Sequence, residues 1–545
     1  MTAVAGSEAV ASGRVGRPAG IYAGTGCAEF RGTIVLRSGA GPAETLLLTT
    51  DARACCSCAH VIPTLMSVQI QTVSPSARPT TPVFAPLQQA DTSAIPIAEL
   101  LAALSHALDL TEGAPAGHTL RSCMIAMRIA DSIGLGSEDR TALYYAMLLK
   151  DAGCSSNAAR ITELFGANDH DVKPRMKIVD ANKKIRLAIE TFRSAGGSGG
   201  FRSRLSHFMG IARGGGVTRE LISIRCERGA NIARRMGFPE STATAIHSLD
   251  EHWNGGGHPE GLKERAIPLL ARIANLAQTM DIFFGAQGID ATMKMVKNRR
   301  KTWFDPQLAD LVLKWRKDTD WWDWLRESAP EIEVTALEPS DPQRVVPSSG
   351  LDLVAQSFAD IVDAKSPFTY RHSTNVSRWA RAIGAKFFAE EATLTRLSRA
   401  GLLHDIGKLG VSNTILDKNG PLFDEERTLM QAHPVHTWEI LRRVRAFSEF
   451  AKMASLHHEK LDGTGYPWKV PAEGLDLQAR ILVVSDIFEA LTADRPYRVG
   501  MPIEAALSIL NKDRGTRLDA LVLDALEQAT TEMPLQAAED TGRAA

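Results

Sequence analysis

The C-terminal third of the chain gathers side chains of the kinds that can hold metal ions. His372, His404, Asp405, His433, the adjacent pair His457-His458 and Asp486 fall within 115 residues. Their neighbours place them on apolar faces rather than in solvent. His372 shares a helical face with Val376, Trp379, Ala380 and Ile383. His404 follows Leu397, Ala400 and Gly401, with Asp405 beside it and Gly407 read as the residue that ends the helix. Asp486 lies on the apolar face of its own helix. A lone buried histidine is usually a hydrogen-bonded core residue. Five histidines and two aspartates together are different, because burying them unpaired costs several kcal/mol apiece. A metal centre satisfies such a set, and imidazoles with carboxylates but no thiolate suit iron, manganese or zinc in hydrolysis.

The elements that must position these residues are helices. From about Ile95 onward apolar residues recur at three and four, as in Leu100, Leu101, Leu104, Leu108 and in Val354, Phe358, Ile361, Val362. Even the apolar run Ile481-Leu482-Val483-Val484 continues into Asp486, Ile487 and Ala490 at helical spacing. The expected class is all-α. Residues 1–92, rich in Gly, Ala, Ser, Thr and Pro, lack a sustained period and read as disordered. Thr33-Ile34-Val35-Leu36 could form a strand there but has no evident partner. Cys55, Cys56 and Cys58, with His60, fall short of the two separated ligand pairs of a structural zinc site. All seven cysteines lie in the N-terminal half, which points to a reducing, cytoplasmic setting rather than a disulfide framework. A net charge of −1 gives no general pull toward nucleic acid or an anionic membrane. No apolar run nears the ~18 residues that span a bilayer.

The helical part is a repeat. His118 stands 33 residues before Asp151, and His372 stands 33 before Asp405, at an offset of 254. Asn254-Gly255-Gly256-Gly257-His258-Pro259 matches Asp462-Gly463-Thr464-Gly465-Tyr466-Pro467 at an offset of 208. That offset also carries Ala271-Arg272-Ile273 onto Ala479-Arg480-Ile481. The difference of 46 is an insertion in the first copy, which takes in the glycine-rich stretches 196–200 and 214–216. Two copies of one helical unit result. They span residues 93–326 and 351–530, joined by a Pro-, Ser- and acid-rich linker at 327–350 and followed by a disordered tail at 531–545.

His404-Asp405-Ile406-Gly407-Lys408 followed by His457-His458-Glu459-Lys460-Leu461-Asp462-Gly463-Thr464-Gly465-Tyr466-Pro467 resembles the HD-GYP family of bacterial phosphodiesterases. Leu491-Thr492-Ala493-Asp494-Arg495-Pro496-Tyr497-Arg498 extends the likeness, which covers roughly residues 350–515. The resemblance implies two tandem HD-type helical domains, the second of them an HD-GYP domain. It implies hydrolysis of cyclic di-GMP to a linear dinucleotide and onward to GMP. It also implies two divalent ions, iron or manganese. His372, His404, Asp405 and Asp486 would hold one, His433, His457 and His458 the other, with Asp405 as the bridge. Paired ions lower the pKa of a shared water and clamp both oxygens of an in-line displacement. Lys408 would bind phosphate and share the catalytic role with Asp405. Arg495 and Arg498 would be phosphate-binding cations, and Gly463 and Gly465 would let backbone approach closely around Tyr466. A third ion, which some relatives hold through a glutamate one turn before the first histidine, is not expected, because that position is Phe368.

Three residues depart from the family pattern: Arg371 and Asn375 stand where many relatives have Gly and Arg, and Thr437 where a Gly is usual. The first copy departs further. Under the two offsets His404 becomes Lys150, His433 becomes Arg225, His457-His458 becomes Leu249-Asp250, and Asp486 becomes Gln278. Only His118 and Asp151 survive, so this copy reads as structural, sensory or dimerising, with Lys150 free to pair with Asp151. Its tail, with Trp303, Trp315, Trp321, Trp322 and Trp324, reads as core packing. Two functions stay open. One is a cyclic dinucleotide phosphodiesterase regulated by its first copy, with no nucleic acid polymer or membrane as partner and a homodimer left open. The other is a signalling adaptor with a structural metal centre.

Overall fold

The computed structural model describes residues 29–37, 45–53, 71–72, 95–178, 184–196, 201–213, 217–339, 345–346, 348–369, 371–494 and 498–532. They fall in two units, Met1–Thr80 and Thr81–Ala545. In the first, Glu29–Arg37 pairs antiparallel with Thr45–Arg53, and Gln71–Thr72 adds to the second strand. Thr33–Leu36 therefore has the partner that the sequence did not reveal. Ile34, Val35 and Leu36 stand opposite Leu48, Leu47 and Leu46 in the backbone register. The rest of residues 1–92, including the Cys55 cluster, lies outside the described residues.

The second unit is all-α apart from the short pairing of Ile95–Pro96 with Val345–Val346. The repeat is visible in detail. Helices His118–Ile133 and His372–Gly384 both start after a left-handed residue, Gly117 at φ 79° and Arg371 at φ 58°. Asp109 accepts from the backbone N–H and hydroxyl of Thr119 (2.9 and 2.7 Å), and Asp363 does the same for Ser373 (3.2 and 2.7 Å). Each carboxylate thus satisfies a donor in the first turn of its helix. Further along, Leu269–Arg299 and Leu477–Thr492 are equivalent helices. The first-copy insertion holds the helices Asp169–Ile178, Lys184–Ser194 and Phe201–Arg213. One apolar core runs through both copies.

The copies also meet through buried polar groups. Asp169 accepts from the hydroxyl of Ser412 (3.0 Å) and the N–H of Asn413 (3.1 Å). The fully buried Lys365 donates to the Leu409 carbonyl at 3.2 Å and lies 3.9 Å from Asp169. Burial pushes Lys365 down to about 7. Lys365 thereby links the turn Ile406–Gly410, which carries Lys408, to Asp169 of the first copy.

Part of the stretch read as a linker is ordered packing: Pro330–Ala336 is a helix started by its proline, Val334 is buried, and the Val334 carbonyl accepts from Tyr144 Oη at 2.8 Å. Trp315 and Trp322 are buried, and the Arg128 guanidinium lies over the rings of Trp315 (4.3 Å) and Trp321 (4.2 Å).

The departure at Arg371 falls on a backbone conformation that costs a side-chain-bearing residue about 1–2 kcal/mol. Glycine recovers most of that at a smaller entropic cost. Arg371→Gly should stabilise the protein by about 1 kcal/mol, read as a higher midpoint in urea with unchanged slope. A lower midpoint would contradict this.

Candidate metal centre

Five helices deliver the seven residues. His372 opens His372–Gly384, and His404 and Asp405 follow Glu391–Leu403. His433 opens His433–Leu441, His457 and His458 follow Ser448–Ser455, and Asp486 sits within Leu477–Thr492. All are buried except His458, which is partly open to solvent.

The side chains converge in two groups, bridged by a third made of His404, Asp405 and His457. His372, His404 and Asp486 lie within 4.8 Å of one another by their ligand atoms, as do His433, His457 and His458. Asp405 stands between them. Its Oδ2 is 3.4 Å from His372 Nε2 and 3.3 Å from His404 Nε2, while its Oδ1 is 3.4 Å from His433 Nε2 and 3.6 Å from His457 Nε2. Asp486 faces both groups as well, with Oδ1 3.3 Å from His372 and Oδ2 3.7 Å from His458.

The ring orientations test whether a cation fits. Nδ1 of His404, His433 and His457 each donates at 2.7 Å to a backbone carbonyl three residues back, those of Gly401, Met430 and Ala454. That fixes the tautomer and leaves each Nε2 as a lone pair aimed inward. His433 and His457 then set two lone pairs 3.1 Å apart, which repel unless a cation lies beside them. His404 Nε2 and Asp405 Oδ1 are buried and make no hydrogen bond among the described residues. The donor set fits metal ions on these grounds. Burial holds His433 and His457 down to about 3 and about 4, so both stay neutral. Burial also works to raise Asp405, but His404 and Lys408 outweigh it and hold the carboxyl well below its usual range.

Close backbone approach sets the spacing of the two groups. A Cβ on Gly407 would lie 1.9 Å from the His433 carbonyl oxygen. Gly407 thus sits inside the turn Ile406–Gly410, where it lets the helix of His433 approach, and does not end the helix of His404. Thr437 joins the same elements: its hydroxyl donates to the His404 carbonyl (2.8 Å) and accepts from Gly407 N–H (3.1 Å). At Gly465 a Cβ would lie 2.4 Å from Glu459 Cα. The buried Glu459 accepts from the N–H groups of Trp468, Lys469 and Val470, which shapes the loop that sets the Tyr466 ring 4.6 Å from that of His458.

Among the residues expected to meet phosphate, Lys408 pairs with Asp405 Oδ2 at 2.5 Å. Arg498 donates to the Ala490 carbonyl at 2.6 Å, and Arg495 lies outside the described residues. Phe368 does not stand where the spacing to His372 places it. Phe368 belongs to a separate turn, Pro367–Thr369, and the left-handed Arg371 precedes the helix of His372. Position 368 is therefore not one helical turn before His372. Of the further carboxylates near the site, Asp363 is engaged by Ser373 and Glu489 by His372 Nδ1.

Sequence reasoning missed Glu489, a buried carboxylate that accepts from His372 Nδ1. Its position three residues after Asp486, on the same helical face, was the available sign.

The first copy keeps the frame and fills the centre with its own cations. His118 Nδ1 bonds Asp281 at 2.7 Å, as His372 bonds Glu489. Lys150 pairs with Asp151 and lies 3.3 Å from His118 Nε2, and Arg225 pairs with Asp250. Glu112, Asp151 and Cys154 come close enough to hold an ion, but Arg225 interacts with all three.

Comparison with known proteins agrees with this geometry. The family model described as HD domain matches residues 215–308 and 356–522, one stretch in each copy. The 3′3′-cGAMP-specific phosphodiesterase 3 of Vibrio cholerae is 41% identical over 81% of this chain and 95% of its own length. A cyclic di-GMP phosphodiesterase of Thermotoga maritima is 32% identical over 30% of this chain and 46% of its own length. The crystal structure of a cyclic GMP-AMP-specific phosphodiesterase of Vibrio cholerae superimposes with a TM-score of 0.56 at 36% identity, covering 81% of this chain and 99% of that one.

Proposed function

The chain belongs to the HD-GYP family of metal-dependent phosphohydrolases and is a cyclic dinucleotide phosphodiesterase; within that class we propose 3′3′-cGAMP as its substrate. One observation carries the choice. The relative that matches along both copies, including the copy without a ligand set, is specific for 3′3′-cGAMP. The cyclic di-GMP phosphodiesterase matches over only 30% of the chain. Cyclic di-GMP is the second reading, favoured by the motifs of the second copy.

His372, His404, Asp405 and Asp486 would hold one divalent ion, and His433, His457 and His458 the other, iron or manganese by donor type. Bound there, the ions supply an activated water and neutralise charge on the phosphoryl oxygens. The protein supplies the rest. Asp405 turns one oxygen to each group and so sets their spacing. Lys408, partly exposed beside Asp405, is placed to meet a substrate phosphate at the rim. Tyr466, next to the partly open His458, offers an aromatic face on which a base can stack. Among the described residues Cys123, Cys154 and Cys226 are buried and carry no disulfide, which supports a reducing setting. No described helix is long and apolar enough to cross a membrane.

Initial rates of the manganese-loaded protein test the assignment. kcat/KM should favour 3′3′-cGAMP over cyclic di-GMP by about tenfold or more, a difference of ~1.4 kcal/mol in transition-state binding. Equal values, or the reverse order, would overturn the choice of substrate.

A further inference from the structure

The repeat provides an internal comparison at one contact. In the first copy Asp281 is shared: Oδ2 takes His118 Nδ1 at 2.7 Å, while Arg121 Nε reaches Oδ1 at 2.9 Å. A guanidinium thus neutralises the carboxylate behind that histidine. In the second copy the same three positions hold Glu489, His372 and Asn375. Glu489 Oε2 takes His372 Nδ1, and among the described residues Oε1 meets the neutral amide of Asn375, at 3.4 Å. Glu489 is buried, so its charge is weakly screened.

We propose that Asn375 leaves the charge of Glu489 undivided on His372, and that this pair tightens the hold of the first metal position on its ion. The proposal rests on the reading of His372 as a ligand. A carboxylate that accepts a ligand imidazole's N–H increases electron density at the opposite nitrogen and strengthens its bond to a metal. A guanidinium on the same carboxylate withdraws that density and adds a positive charge near the ion. Asn375 and Glu489 are positioning residues here, acting through His372.

The test is chelator competition on the manganese-loaded full-length protein, with retained manganese per chain as the readout. Asn375→Arg should release one ion at about tenfold lower chelator, and Glu489→Gln at about 10–100-fold lower. Asn375→Gln, which stays neutral, should behave as the parent. In the Glu489→Gln background Asn375→Arg should change little, because the charge on which it acts is gone. The proposal falls if Asn375→Arg retains both ions as the parent does. It also falls if that substitution costs as much in the Glu489→Gln background, since the guanidinium would then act directly on the ion. Glu489→Gln weakening the site while Asn375→Arg does not would remove the proposal and leave His372 as a ligand. A parent protein that binds no manganese would instead overturn the metal reading itself.

Discussion

Asp405→Asn is expected to lower kcat/KM for the cyclic dinucleotide by about a thousandfold or more, equivalent to ~4 kcal/mol of barrier. The amide keeps the shape of the side chain, so Ile406–Gly410 and Thr437 need not move. What changes is the pair of oxygens. Oδ2 faces His372 and His404 and Oδ1 faces His433 and His457, so one carboxylate serves both groups. The substitution removes one oxygen and the negative charge at the point where two cations would sit closest together. Manganese content should fall with activity. Full activity in this variant would refute the site assignment, and full metal content with lost activity would restrict Asp405 to a role in chemistry.

Lys150→Met should have the second largest effect, on stability alone. Lys150 and Asp151 form an ion pair with side chains 1% and 3% exposed. Removing the ammonium takes the paired cation from a buried carboxylate and leaves it to Arg225 and the Cys154 thiol, at a cost of about 1–3 kcal/mol. Denaturant unfolding measures the loss, and manganese content per chain should not change, because Lys150 belongs to the copy without the ligand set. Lys150→Met combined with Asp151→Leu removes both charges and should recover most of the stability. If the single variant is as stable as the parent, the side-chain cation does not replace a metal there.

The candidate metal-binding cluster was legible because it depends on residue type and fixed spacing. The histidines of the second copy lie where their apolar neighbours placed them, and the offsets of 254 and 208 recur as Asp109–Thr119 against Asp363–Ser373 and as His118–Asp281 against His372–Glu489. Features that depend on contacts distant in sequence were harder to read. Glu489 resembles any solvated glutamate until the helix of His372 packs on it. Gly407 looked like a helix terminus because a glycine after an apolar run usually is one, whereas the space it leaves is taken by the His433 carbonyl. Phe368 lies outside the helix of His372 because the left-handed Arg371 breaks the chain between them, which spacing alone does not reveal. The pairing of Thr33–Leu36 and the packing of Pro330–Ala336 likewise depend on partners that local composition does not reveal.

Anomalous diffraction from crystals of the manganese-loaded protein tests the central claim most directly. Two peaks are expected in the second copy: one among His372, His404 and Asp486, the other among His433, His457 and His458, with Asp405 between them. None is expected beside Lys150 and Arg225. A peak in the first copy, a single peak or a third one in the second, or no peak near Asp405 would contradict the account.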